Sequence, residues 1–140
     1  LLASTFLVTH PTALALNPSL QVSQYEHTSW TARDGYSLGS VFAMAQTQDG
    51  YLWLASEFGV FRFDGDRFVR WQPPAGQQLP ERPYSLLVTR DGTLWIGTFA
   101  GLASWNGVEL TRYPEVGALF VTSLLEDRDG MVSAGMETGA

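Results

Sequence analysis

Residues 91–107 read DGTLWIGTFAGLASWNG, and residues 49–65 read DGYLWLASEFGVFRFDG. A third version, DGMVSAGMETG, starts at residue 129. The leading Asp falls at 49, 91 and 129, so the spacings are 91−49 = 42 and 129−91 = 38. Gly59, Gly101 and Gly139 keep the same intervals. Trp53 matches Trp95, Asp64-Gly65 matches Asn106-Gly107, Phe68 matches Leu110, and Trp71 matches Tyr113. A period of about 40 residues belongs to propeller blades or to two-helix solenoid repeats.

Local chemistry separates the two. Asp-Gly and Asn-Gly between apolar, β-branched and aromatic runs are hairpin signals, and the expected turn is type I′, with positive φ at both central residues. VFAMAQ and YLWLAS flank the first turn; VFRF and RFVRW flank the second. The next unit repeats this with YSLLVTR, TLWIGT, LASW and VELTRY. No window is long or periodic enough for a helix pair, so the solenoid is excluded. Four short antiparallel strands per unit make a propeller blade. The predicted fold is all-β: a β-propeller fragment of about two and a half four-stranded antiparallel blades, at 41–72, 84–114 and, truncated, 120–140.

YLWLA and TLWIG are apolar without alternation, as expected of strands buried on both faces by neighbouring blades. Trp53 and Trp95 are therefore assigned to inter-blade packing rather than to a sugar-stacking surface. RFVRW alternates like an outer strand, and Arg67, Arg70 and Arg112 read as solvated edge charges in preference to an anion site. Residues 73–83, PPAGQQLPERP, form an inter-blade loop. The framework of the repeat is Asp49, Gly50, Trp53, Gly59, Asp91, Gly92, Trp95, Gly101, Asp129 and Gly130.

The 140-residue chain carries 8 basic against 14 acidic residues, a net charge of −6, with no basic cluster. That balance argues against nucleic acid as a partner. Absence of cysteine excludes disulfides and thiolate chemistry, and His10 and His27 are too few for a histidine-based metal cluster. No cofactor is expected. LEDRDGMVSAGM fails as a calcium loop: with Gly130 in sixth place, Leu125 and Met136 occupy positions that need oxygen ligands. Asp49, Asp91 and Asp129 read as turn residues rather than catalytic carboxylates.

Residues 1–15, LLASTFLVTHPTALA, combine an apolar run with Ala13-Leu14-Ala15, the pattern of a partial signal peptide cleaved before Leu16. Residues 16–40 form a lead-in. Within it, 22–31 carry Tyr25 and Trp30 like the outer strands and are expected to close the ring as an outer strand. Bare blade faces predict poor solubility of these residues in isolation.

The repeat lacks the Gly-His and Trp-Asp of WD blades and the Gly-Gly of kelch blades. TQDGYLWLASEFGVFRFDGDRFVRW and TRDGTLWIGTFAGLASWNGVELTRY instead resemble the two-component regulator propeller repeat, an apolar-Trp-apolar-Gly-Thr strand followed by Gly-Leu and Asp/Asn-Gly. The first copy departs from it at Ala55-Ser56 and Val60, and the third has Val132-Ser133 where Leu-Trp is usual. The resemblance implies the extracytoplasmic, periplasmic sensor part of an inner-membrane receptor. An immunoglobulin-like domain, a membrane helix and an output domain, most often a histidine kinase, would follow it. This portion is then not itself an enzyme. Its implied partners are a small molecule or oligosaccharide, the remaining blades and the output domain, in a full-length dimer. Glu57, Phe58, Phe99 and Ala100 vary between blades while the frame stays fixed. The loops at 56–59 and 98–101 are thus expected to contact ligand at one mouth of the ring. The alternatives are an exported propeller lyase or glycan hydrolase with catalytic groups elsewhere in the protein, or a scaffold for protein contacts.

Overall fold

The computed structural model describes residues 37–138. The signal segment at 1–15 and the closing strand at 22–31 lie outside the described residues. Blade 1 is a four-stranded antiparallel sheet of β1 (Val41–Gln46), β2 (Leu52–Ser56), β3 (Gly59–Phe63) and β4 (Phe68–Arg70), hydrogen-bonded in that order. Blade 2 repeats it with β5 (Pro83–Val88), β6 (Leu94–Thr98), β7 (Gly101–Trp105) and β8 (Leu110–Arg112). A two-stranded sheet follows, β9 (Phe120–Glu126) and β10 (Val132–Glu137). Helical structure among the described residues is one 3₁₀ turn, Pro114–Val116. The chain thus folds as part of a β-propeller, and β1, β5 and β9 approach one another as its inner strands.

The core lies between the blades. Trp53 and Val60 of blade 1 pack against Leu94 and Ile96 of blade 2, and all four are buried. Burial on this scale contributes roughly 1.5–3 kcal/mol per large apolar side chain. Trp71, just past β4, bridges the sheets: its ring meets Trp53 edge-on at 5.7 Å and Trp105 at 5.4 Å. Trp53 is 4% exposed, whereas Trp95, its counterpart facing the two-stranded sheet, is half-buried and stacks on Tyr113 at 5.0 Å.

The second blade contact uses a smaller device. Ser85 on β5 is paired with Gly97 on β6, and its hydroxyl donates to the carbonyl of Val121 at 3.0 Å. A Cβ on Gly97 would lie 2.6 Å from Cγ1 and 2.9 Å from Cβ of Val121. Ser123 paired with Gly135 repeats the Ser-Gly couple in the third sheet, but blade 1 has Ala43 paired with Ala55.

The expected type I′ turns do not occur: among the described residues no non-glycine residue has positive φ. At Thr47–Gly50 the N–H of Gly50 donates to the Thr47 carbonyl, and the N–H of Thr47 to the Tyr51 carbonyl. This is a type I turn closed by a left-handed glycine, Gly50 at φ 89°, which leaves Asp49 on the ordinary side of the map. Thr89–Gly92 repeats it. In the β3–β4 turn the glycine, Gly65, comes first of the two central residues, again taking the positive φ alone. Both geometries satisfy the right-handed twist with one special residue instead of two.

Candidate functional site

Strand register sorts the loops onto two edges. Val41 pairs with Ser56 and Pro83 with Thr98, so the starts of the inner strands emerge beside the β2–β3 and β6–β7 tips. That edge also carries the connections 71–82 and 113–119. The opposite edge carries every Asp-Gly and Asn-Gly turn among the described residues.

On the turn edge the acidic residues act on the backbone. Oδ1 of Asp49 accepts from the Thr47 hydroxyl and the N–H of Tyr51. Oδ1 of Asp91 accepts from the hydroxyl of Thr89 at 2.6 Å and the N–H of Thr93 at 3.0 Å. Those bonds, the Thr89 hydroxyl foremost, hold the Asp91 carboxyl below the usual carboxylate range. In the third turn Asp127, not Asp129, is the acceptor, taking the N–H groups of Asp129 and Met131, each at 2.9 Å. Residue 2 of each of the first two turns reaches the next sheet. The amide of Gln48 donates to the Arg90 carbonyl at 3.0 Å, and Arg90 donates to the Arg128 carbonyl at 3.0 Å and to Glu126 at 3.1 Å. No group of acidic residues or histidines suited to a metal ion occurs among the described residues.

The tip edge is built differently. The buried hydroxyl of Ser56 donates to the Gly59 carbonyl and accepts from the N–H of Phe58. Thr98 does the same with Gly101 and Ala100. The tip backbone is therefore fixed from within, and the side chains at 57, 58, 99 and 100 are free to differ. Glu57 turns back on the lead-in: its N–H donates to the Ser40 carbonyl, and Oε2 accepts from the Ser40 N–H at 3.4 Å.

Glu57 and Phe58 border a cleft of about 770 Å³ between the β2–β3 tip, the end of β4 and the 71–82 connection. Arg70, Trp71, Glu81 and Arg82 complete its wall. A cleft of this size is in the range of small-molecule sites. Phe58 is 47% exposed, an apolar surface facing water. A related cleft of about 550 Å³ on blade 2 has Ala100 for Phe58 and Arg112 for Arg70.

Phe99 does not line either cleft. Its ring stacks on Phe120 at 4.5 Å and 4°, and meets Tyr84 edge-on at 5.5 Å. Phe42 joins this cluster, stacked on Tyr84 at 5.2 Å, and is 40% exposed. Phe42 and Tyr84 sit at β-bulges where the inner-strand register shifts, which re-aims their rings along the edge. The guanidinium of Arg82 lies 5.1 Å from the Phe99 ring, linking cluster and cleft. The sequence did not single out Phe42, Tyr84, Phe120 or Arg82. The interval 84−42 = 42 was a signal for the first two, but the bulges that make them face the edge leave no mark on composition.

Residues 35–58 and 78–100 match the two component regulator propeller model, so the chain carries two repeats of that type. Among solved structures it is similar to the extracellular domain assigned to a hybrid two-component system of B. thetaiotaomicron. The TM-score is 0.60 at 16% identity, covering 76% of this chain and 16% of that one, a likeness of fold. The chain thus spans a small part of that neighbour's length. No curated protein matches.

Proposed function

We propose that these blades form the extracytoplasmic sensory module of a two-component signalling receptor. The observation that carries this reading is the pair of two component regulator propeller repeats, whose strands and tips are those described above. The extracellular placement of the structural neighbour supports the same side of the membrane. The ligand is a small molecule or oligosaccharide, received on the tip edge, where Glu57, Phe58 and the aromatic cluster around Phe99 lie. Polar planar groups beside an exposed aromatic ring suit a polyhydroxylated ligand, because hydroxyls need paired donors and acceptors while the ring covers the C–H face. Output passes to a signalling domain elsewhere in the full-length protein, a histidine kinase in the simplest case, acting as a dimer.

The test uses the full-length protein and a transcriptional reporter for its output. Phe58→Ala and Glu57→Ala are expected to shift the ligand dose for half-maximal response upward by about tenfold, the loss of roughly 1.4 kcal/mol of contact energy. A full-length protein without a membrane span or output domain, or a reporter indifferent to both changes, overturns the reading.

A further inference from the structure

We infer that the blade 1 cleft is a carboxylate-binding site, in which Arg70 and Arg82 together hold the anionic end of a small ligand. The inference rests on the sensory reading of this cleft and adds the charge of what it receives. In a chain of net charge −6, attraction of an anion requires cations that are locally unspent. Of the seven described arginines, two are ion-paired. Arg67 is 3.8 Å from Asp64, and Arg90 is bound to Glu126. Arg70 and Arg82 have no carboxylate within ion-pair distance among the described residues, and both line this cleft.

Each guanidinium rests against a neighbour on the tip edge. Arg70 lies over Gly59, where a Cβ would come within 3.4 Å of its Nε. Arg82 lies over Phe99. Two planar forks with five donors each match carboxylate oxygens better than point charges would. The wall also carries two acids, Glu57 and Glu81, each accepting one backbone N–H and neither within ion-pair distance of the two arginines. Phe58 and Trp71 offer an apolar face for the body of the ligand. The blade 2 cleft keeps Arg112 but has Pro114, Gly117 and Ala118 in its wall and no second arginine. It serves as the natural control.

The carboxylate could be carried by an acidic sugar or by a simple dicarboxylic acid. Calorimetric titration of the full-length protein with digalacturonate, neutral galactobiose and succinate separates them. Digalacturonate or succinate is expected to bind, and to weaken at least tenfold in Arg70→Ala and Arg82→Ala. Arg112→Ala should leave the affinity unchanged, and Arg70→Lys should recover part of the loss. Binding of digalacturonate alone identifies the sugar acid; binding of both acids identifies the carboxylate itself as the determinant. Equal affinity for galactobiose and digalacturonate, insensitive to both arginines but lost in Phe58→Ala, overturns the inference and leaves the sensory cleft standing. Absence of acid binding by the wild type also overturns it, whereas the reporter response in Phe58→Ala judges the sensory reading separately. Circular dichroism of each variant distinguishes a lost contact from a lost fold.

Discussion

Blade 1 and blade 2 follow one plan residue by residue, yet each spends its variable positions differently. In blade 1 the tip carries Glu57 and Phe58 and borders the larger cleft. In blade 2 the tip carries Phe99 and Ala100; the phenylalanine is drawn into ring stacking and the cleft beneath it is smaller. Inside the sheets the asymmetry runs the other way. Blade 1 fills the β1–β2 pair with Ala43 and Ala55, while blade 2 uses Ser85 and Gly97 to reach the next sheet through a buried hydrogen bond. A repeat frame therefore fixes where a side chain stands, and the occupant decides whether that place packs, binds or stays open.

The strongest way to break the comparison is to exchange the paired residues. Gly97→Ala should destabilise the full-length protein by about 3 kcal/mol, because Val121 is held by its own strand and cannot move aside. Ala55→Gly, the reverse exchange in blade 1, should cost only about 1 kcal/mol, from backbone freedom and a lost methyl. Denaturant midpoints decide it, and equal effects at the two sites would show that the blades are not distinguished by this couple. A smaller difference is expected on the turn edge. Arg90→Ala removes an ion pair and two carbonyl contacts, to Arg128 and Asp127, for about 1 kcal/mol, whereas Gln48→Ala removes one exposed hydrogen bond, for about 0.5 kcal/mol.

The smallest effect sharpens the comparison through acid. The Asp64 carboxyl is held below the usual carboxylate range, first by the N–H of Arg67 and then by that of Asp66. Asn106 occupies the same place in blade 2 and accepts the N–H groups of Val108 and Glu109 at 2.9 and 2.8 Å. A lowered folded value means that the unfolded chain binds the proton more readily. The contribution of Asp64 is thus present above its ordinary value of 3.8 and is lost as pH falls below it. Asp64→Asn should keep the turn and flatten the acid limb of the stability curve. A curve identical to wild type below pH 3.8 would remove this carboxylate from the account.

The strands could be read from the sequence because their signals are local: LWIGT and LASW declare themselves within five residues, and the spacing of tryptophans gives the stacking face. The turn chemistry misled, since Asp-Gly announces a glycine with positive φ but not that this glycine takes the positive φ alone. The cleft was half legible. Glu57 and Phe58 stood out as variation inside a constant frame, but Arg70 and Arg82 line one cleft because the proline-rich connection forms its other wall. Arg70 is exposed on the outer strand β4, as its sequence pattern suggested, but the sequence does not show the wall opposite. Phe99 looked equivalent to its neighbours at the other tip, and only the bulged inner strands reveal that stacking partners await it.

The side-chain bonds that join blade to blade have a direction. Gln48 gives to Arg90, Ser85 to Val121, and Arg90 to Glu126 and Arg128; every donor precedes its acceptor in the chain. A ribosome delivers the giver first and the receiver some forty residues later, a delay of roughly 2–8 s at ordinary elongation speeds. During each such interval the newest wedge shows its oily side with nothing to lean on.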